Sequence, residues 1–96
     1  MNPYCFIIEV EPQHGNLLGA HVSRAITHIW VFSTDIKEAR DTASHFLKTE
    51  LWEVLEEKDA FAPTPERIDG LGEAEASSYR TAESAGIHAT FNYWHK

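Results

Sequence analysis

The segment from Ile29 to Glu57 constrains the fold most, because it has the pattern of a strand, a helix and a second strand. Asp35 followed three residues later by Glu38 is typical of a helix start, where each carboxylate can accept from unpaired backbone N–H groups. An apolar stripe then predicts a helix that runs to about Lys48 and packs on a sheet. The stripe consists of Ile36, Ala39, Ala43, Phe46 and Leu47.

The continuation after this helix is ambiguous. Leu51, Val54 and Leu55 keep the helical spacing, and neither Gly nor Pro interrupts the sequence there. Trp52 and Val54 also alternate with Glu53, which is the pattern of a strand. We favour the strand, because a lone β-hairpin is marginally stable in water and a third strand would cover it. The helix would then connect two parallel strands, by default through a right-handed crossover.

The flanking segments contain further strands and a second helix. Loop-forming residues in Pro12–Gly19 predict a hairpin between the first two strands. Thr64 before Pro65 indicates a short helical turn. From Leu71 to Ala85 the composition favours a helix, and Gly86 is placed to end it. Alternating apolar residues predict the strands at Tyr4–Glu11, Ala20–Phe32 and Ile87–Trp94.

These elements predict a single α+β domain over residues 1–96, in the order β-β-α-β-α-β. We expect a mixed sheet with the helices packed on one face. Two helices cannot cover both faces of such a sheet, so a second copy of the chain is expected to cover the other. The predicted assembly is therefore a homodimer.

Charge narrows the classes of partner. Fifteen acidic residues against eight basic ones give a net charge of −7, which disfavours binding to nucleic acid. No apolar stretch approaches the roughly 20 residues that span a bilayer, and the first residues lack a basic leader, so a cytoplasmic, membrane-free location is expected. The densest acidic residues could attract a basic protein or could simply be solvated. They are Glu50, Glu53, Glu56 and Glu57.

No catalytic or metal-binding motif stands out. His14, His21 and His28 recur every seven residues, but an odd spacing on a strand sends successive side chains to opposite faces. Neither a metal nor a cofactor is predicted. No serine has the G-x-S-x-G setting of a nucleophile, and the single Cys5 has no recognisable partner. A non-enzymatic role is favoured.

The candidate binding residues are aromatic or imidazole side chains. Trp and Tyr are common in interface cores, although packing in the protein's own core is the alternative. His28 would share a strand face with apolar neighbours, either as a hydrogen-bonded core residue or as the imidazole of a pocket. The candidates are His28, Trp30, Tyr79, Tyr93 and Trp94.

Two functions remain in competition. The first is a self-associating protein-interaction module, similar in role to an adaptor or an inhibitor. The alternative is a small dimeric enzyme or small-molecule-binding domain with a pocket between sheet and helices near His28. A cavity beside His28 would favour the alternative, whereas a filled core with exposed Trp94 or exposed glutamates would favour the interaction module.

Overall fold

A computed structural model describes residues 1–96. It confirms the α+β class and the order β-β-α-β-α-β, with one additional short helix, α2. A single turn of 3-10 helix at Leu17–Ala20 lies in the hairpin loop. No helix is both long enough and apolar enough to span a membrane. The elements are β1 Asn2–Pro12, β2 Val22–Ser33, α1 Ile36–Thr49, β3 Trp52–Phe61, α2 Pro65–Asp69, α3 Glu73–Ala85 and β4 Ile87–His95.

The four strands form one sheet in the order β3-β1-β2-β4. Every neighbouring pair is antiparallel, so the sheet is not the mixed one expected from the sequence. The reason is that β1 lies between β2 and β3. Helix α1 does connect two strands that run in the same direction, but β1 separates them.

The segment after α1 is a strand, and the reversal occurs at Leu51. This residue has φ 63°, a left-handed conformation that glycine usually occupies at a helix end. The hairpin loop holds it in place, because the Gln13 N–H and the Asn16 side-chain amide donate to the Leu51 carbonyl at 2.8 and 2.9 Å. Hydrogen bonds from another part of the chain therefore support the reversal after the helix.

The main core lies between α1 and the first face of the sheet. Asp35 caps α1 by accepting from the Glu38 N–H at 2.8 Å, as the sequence predicts. The helix buries Ala39, Ala43 and Leu47 of its predicted stripe. Alternate residues of β1 and β2 meet them. Those buried on this face include Tyr4, Phe6, Ile8, Val10, Ala25, Ile29 and Val31.

Helix α3 packs on the opposite face, so the helices do not share one face as expected. The connection from β3 to β4 must cross the sheet from one edge to the other, and α1 already occupies the first face. A smaller core forms where Ala82 and Tyr79 of α3 meet Cys5 and Trp30. The Tyr79 ring lies edge-on to Trp30, with their centroids 5.3 Å apart. Gly86 ends α3 with φ 93°, as predicted.

Part of this second face carries no helix. Glu9 lies there between two cations, 3.1 Å from Arg24 and 3.3 Å from Lys58. Trp94 is paired in register with Arg24 and is 50% exposed. The edge strand β3 is irregular in this region, because its register against β1 shifts twice, once on each side of the paired residues Ile8 and Glu9.

Candidate functional site

A cavity of about 180 Å³ lies on the second face of the sheet, at the boundary between the part that α3 covers and the part that no helix covers. The sheet forms its floor, and α2 and α3 form its walls. In the strand register, Phe61, Cys5 and Trp30 lie side by side on three adjacent strands. Ile7, His28 and Thr90 form the next row. All six residues line the cavity.

Four of the six floor residues are apolar, and the floor is only partly buried. Cys5 and Trp30 are buried, while Ile7 and His28 are half-buried. Leu71, just before α3, completes the apolar wall. Five of the ten lining residues are hydrophobic, so the cavity combines apolar surface with polar groups that could orient a ligand.

Apart from the Cys5 thiol and the Trp30 indole, five of the lining side chains have polar groups. Within the chain, none of the five donates or accepts a side-chain hydrogen bond, and none belongs to an ion pair. Their hydrogen-bonding capacity is therefore free to serve a ligand. They come from β2, α2, α3 and β4 and are His28, Arg67, Glu75, Ser78 and Thr90.

Local structure positions the three that come from helices. Thr64 caps α2 by accepting from the Arg67 N–H at 3.3 Å. The Arg67 guanidinium lies over the Phe61 ring, with its central carbon 4.1 Å from the ring centroid, a cation–π arrangement. Glu75 and Ser78 are three residues apart on α3, a spacing that places both on one side of a helix.

The Cys5 thiol on the floor is expected to be a poor nucleophile. Burial raises its pKa to about 12, an effect that Arg67 partly opposes and that Asp59 and Glu75 reinforce. A thiol is nucleophilic only as the thiolate, so Cys5 contributes to the shape of the cavity and its apolar character.

The five predicted binding residues lie in three places. His28 and Trp30 line the cavity together. Tyr79 packs behind Trp30 and Phe32, and burial, with a smaller effect of Glu83, raises the pKa of its phenol. Trp94 lies on the open part of the same face, beside Arg24.

Tyr93 lies on the first face of the sheet, apart from the other four. Its register partner on β2 is Ala25, a residue of the main core. Its ring stacks with Phe91 and Trp52, at centroid distances of 6.1 and 6.2 Å. Tyr93 therefore extends an aromatic stack and does not approach His28.

The four acidic candidates do not form one continuous surface. Glu50 lies at the C-terminal end of α1. Glu57 is paired with Arg40 of α1 at 3.0 Å, on the first face. Glu56 is paired with Lys58, whose pKa rises because its ammonium donates to Glu56 and, to a lesser extent, to Glu9.

A second concave surface, of about 410 Å³, includes Glu53 and lies beside the end of α1. His45 and Lys48 also line it, together with the edge of Trp52. Exposed residues make up most of its lining, so it holds few buried groups that could orient a ligand.

Comparisons with protein-family models, curated proteins and solved structures found no match to this chain. The assignment of a function therefore depends on the geometry of the cavity.

Proposed function

We propose that this protein binds a small molecule in the cavity between β1, β2 and α3. The observation that carries the proposal is the convergence of five unpartnered polar side chains, from four elements, on one cavity with an apolar floor. Three of the five residues are exposed and two are half-buried, so each can exchange bound water for a hydrogen bond to a ligand.

The size of the cavity limits the ligand. A volume of about 180 Å³ is below the roughly 300 Å³ at which typical ligand pockets begin. The ligand is thus a molecule of few non-hydrogen atoms, smaller than one that fills a typical pocket.

The proposal is for binding without a reaction. The pKa of about 12 removes Cys5 as a nucleophile, and neither Ser78 nor Thr90 has a hydrogen bond to a base. A cytoplasmic location is part of the same proposal.

Filling the cavity tests the proposal. A set of chemically diverse small molecules is titrated into the labelled protein while NMR follows the indole N–H signals of its three tryptophans. At least one compound should shift the Trp30 signal to saturation while leaving that of Trp52 unchanged. Ser78→Leu places a larger side chain in the cavity and should abolish this binding, whereas Ser77→Leu, on the exposed side of α3, should not.

The proposal fails if no compound gives a saturable shift at Trp30. It also fails if the Ser78→Leu variant, shown to be folded by the dispersion of its spectrum, binds as well as the unaltered protein.

A second candidate is the interaction module that self-associates. Its support is the half-exposed Trp94 on the open part of the second face, since a large aromatic side chain of this kind is favoured in an interface core. The homodimer and the basic partner at the acidic residues remain predictions.

A further inference from the structure

The cavity has two charges of opposite sign that do not neutralise each other. Arg67 on α2 and Glu75 on α3 both line it, yet no ion pair joins them. On the open part of the same face, by contrast, Glu9 is paired with both Arg24 and Lys58. A guanidinium and a carboxylate that face one small cavity unpaired can each bind an opposite charge on the ligand.

The position of Arg67 is defined. Its guanidinium is stacked on Phe61 at 4.1 Å, and Thr64 caps the backbone of the helix that carries it. A planar guanidinium held in this way can donate two parallel hydrogen bonds to a carboxylate.

Glu75 lies on the α3 side of the cavity. It belongs to the first turn of the helix, where a negative side chain is favourable. Its carboxylate accepts hydrogen bonds only, so its natural ligand group is an ammonium or another donor.

We propose that the ligand is a small zwitterion of the amino-acid type. This inference rests on the proposed function and specifies the ligand of the same site. The ligand's carboxylate binds Arg67, its ammonium binds Glu75, and its small side chain lies on the floor formed by Ile7 and Trp30. His28 and Thr90 border that floor and can accept or donate one further hydrogen bond.

The test uses four matched series of ligands with the full chain. The series are small amino acids (glycine, alanine and valine), carboxylates of the same carbon skeletons, amines of the same skeletons, and the corresponding neutral alcohols. Each is titrated while the Trp30 indole N–H signal is followed. The amino acids should bind at least about tenfold more tightly than the members of the other three series, which corresponds to about 1.4 kcal/mol.

Charge-neutralising variants identify the groups responsible. Arg67→Gln and Glu75→Gln should each weaken amino-acid binding by about tenfold or more. Arg67→Lys keeps the charge and should lose less. The matched controls are Arg80→Gln and Glu73→Gln, which remove charges from α3 outside the cavity and should leave binding unchanged.

The outcomes separate the two proposals. If carboxylates, amines or alcohols saturate the Trp30 signal as tightly as the amino acids do, the zwitterion inference is overturned while the binding site stands. The same holds if Glu75→Gln binds amino acids normally. If no series saturates the signal, the site itself is refuted.

Discussion

Cys5 shows how one residue can be central in position and still inert. Its thiol lies on the floor of the cavity, but the residue is only 4% exposed and burial raises its pKa to about 12. Relative to an ordinary value of 9.0, the thiolate fraction at neutral pH is then about a thousandfold lower.

The reactivity of this thiol gives a direct prediction. Iodoacetamide at pH 8 should modify the folded protein about a thousandfold more slowly than the protein unfolded in urea, because only the thiolate reacts. Mass spectrometry of timed samples measures both rates. Equal rates in the two states would show that the thiol is neither buried nor shifted in its pKa.

The residues of the cavity also show where sequence reasoning succeeds. His28 and Trp30 could be selected because a polar or large aromatic side chain stands out on an alternating strand. Arg67 and Glu75 could not, because each lies among other charged residues and nothing in the sequence distinguishes it from them. Only the crossing of the sheet by the chain between β3 and β4 brings them over Cys5.

At the scale of elements, local signals identified the strands and helices well. The sequence predicts the helix caps at Asp35 and Thr64 and the helix end at Gly86, because each of these depends on residues close by in the chain. The position at which α1 ends was harder to predict. The left-handed residue there is Leu51, and the hydrogen bonds that hold it come from Gln13 and Asn16 in a distant loop.

The order of the strands in the sheet could not be predicted from local sequence patterns either. Alternation shows which residues of β1 share a face, but it does not show which strands flank it. The insertion of β1 between β2 and β3 keeps those two parallel strands from pairing, and it follows from tertiary packing.

The helix end at Gly86 supplies a prediction on stability. Gly86→Ala should lower the free energy of unfolding by about 1–2 kcal/mol, because an L-residue is strained at φ 93°. A Cβ there would meet no atom within 4 Å, so the cost is conformational and not steric.

Urea denaturation measures this change. The control is Gly19→Ala, where φ is not positive and the new Cβ would make an ordinary contact with Pro12 at 3.6 Å. The control should alter stability by less than about 0.5 kcal/mol. Equal effects of the two variants would mean that the left-handed conformation of Gly86 imposes no cost.

In the molecule as a whole, helices cover the two faces of the sheet to different extents. Helix α1 covers the first face along the core, while α3 leaves part of the second face to solvent. The expected homodimer would cover that open part, including Trp94 on the edge strand β4.

Self-association is predicted to depend on this surface. Sedimentation velocity at micromolar concentrations should detect a dimer, and Trp94→Glu should weaken it by at least about tenfold, because a charge would replace an interface aromatic. Leu17→Glu is the control, since Leu17 is 93% exposed but lies in the hairpin loop. A strictly monomeric unaltered protein would remove the dimer hypothesis.

The register breaks in β3 have a consequence for the edges of the sheet. An edge strand presents free N–H and C=O groups that can recruit a strand from another chain, and bulges and charged side chains prevent this. Strand β3 has both, with two breaks in register and charged residues at 56–59. Strand β4 pairs regularly with β2 from Arg24 to Val31 and contains no Asp, Glu, Lys or Arg. Any extension of the sheet by a further strand, in oligomers or in aggregates, is therefore expected at the β4 edge.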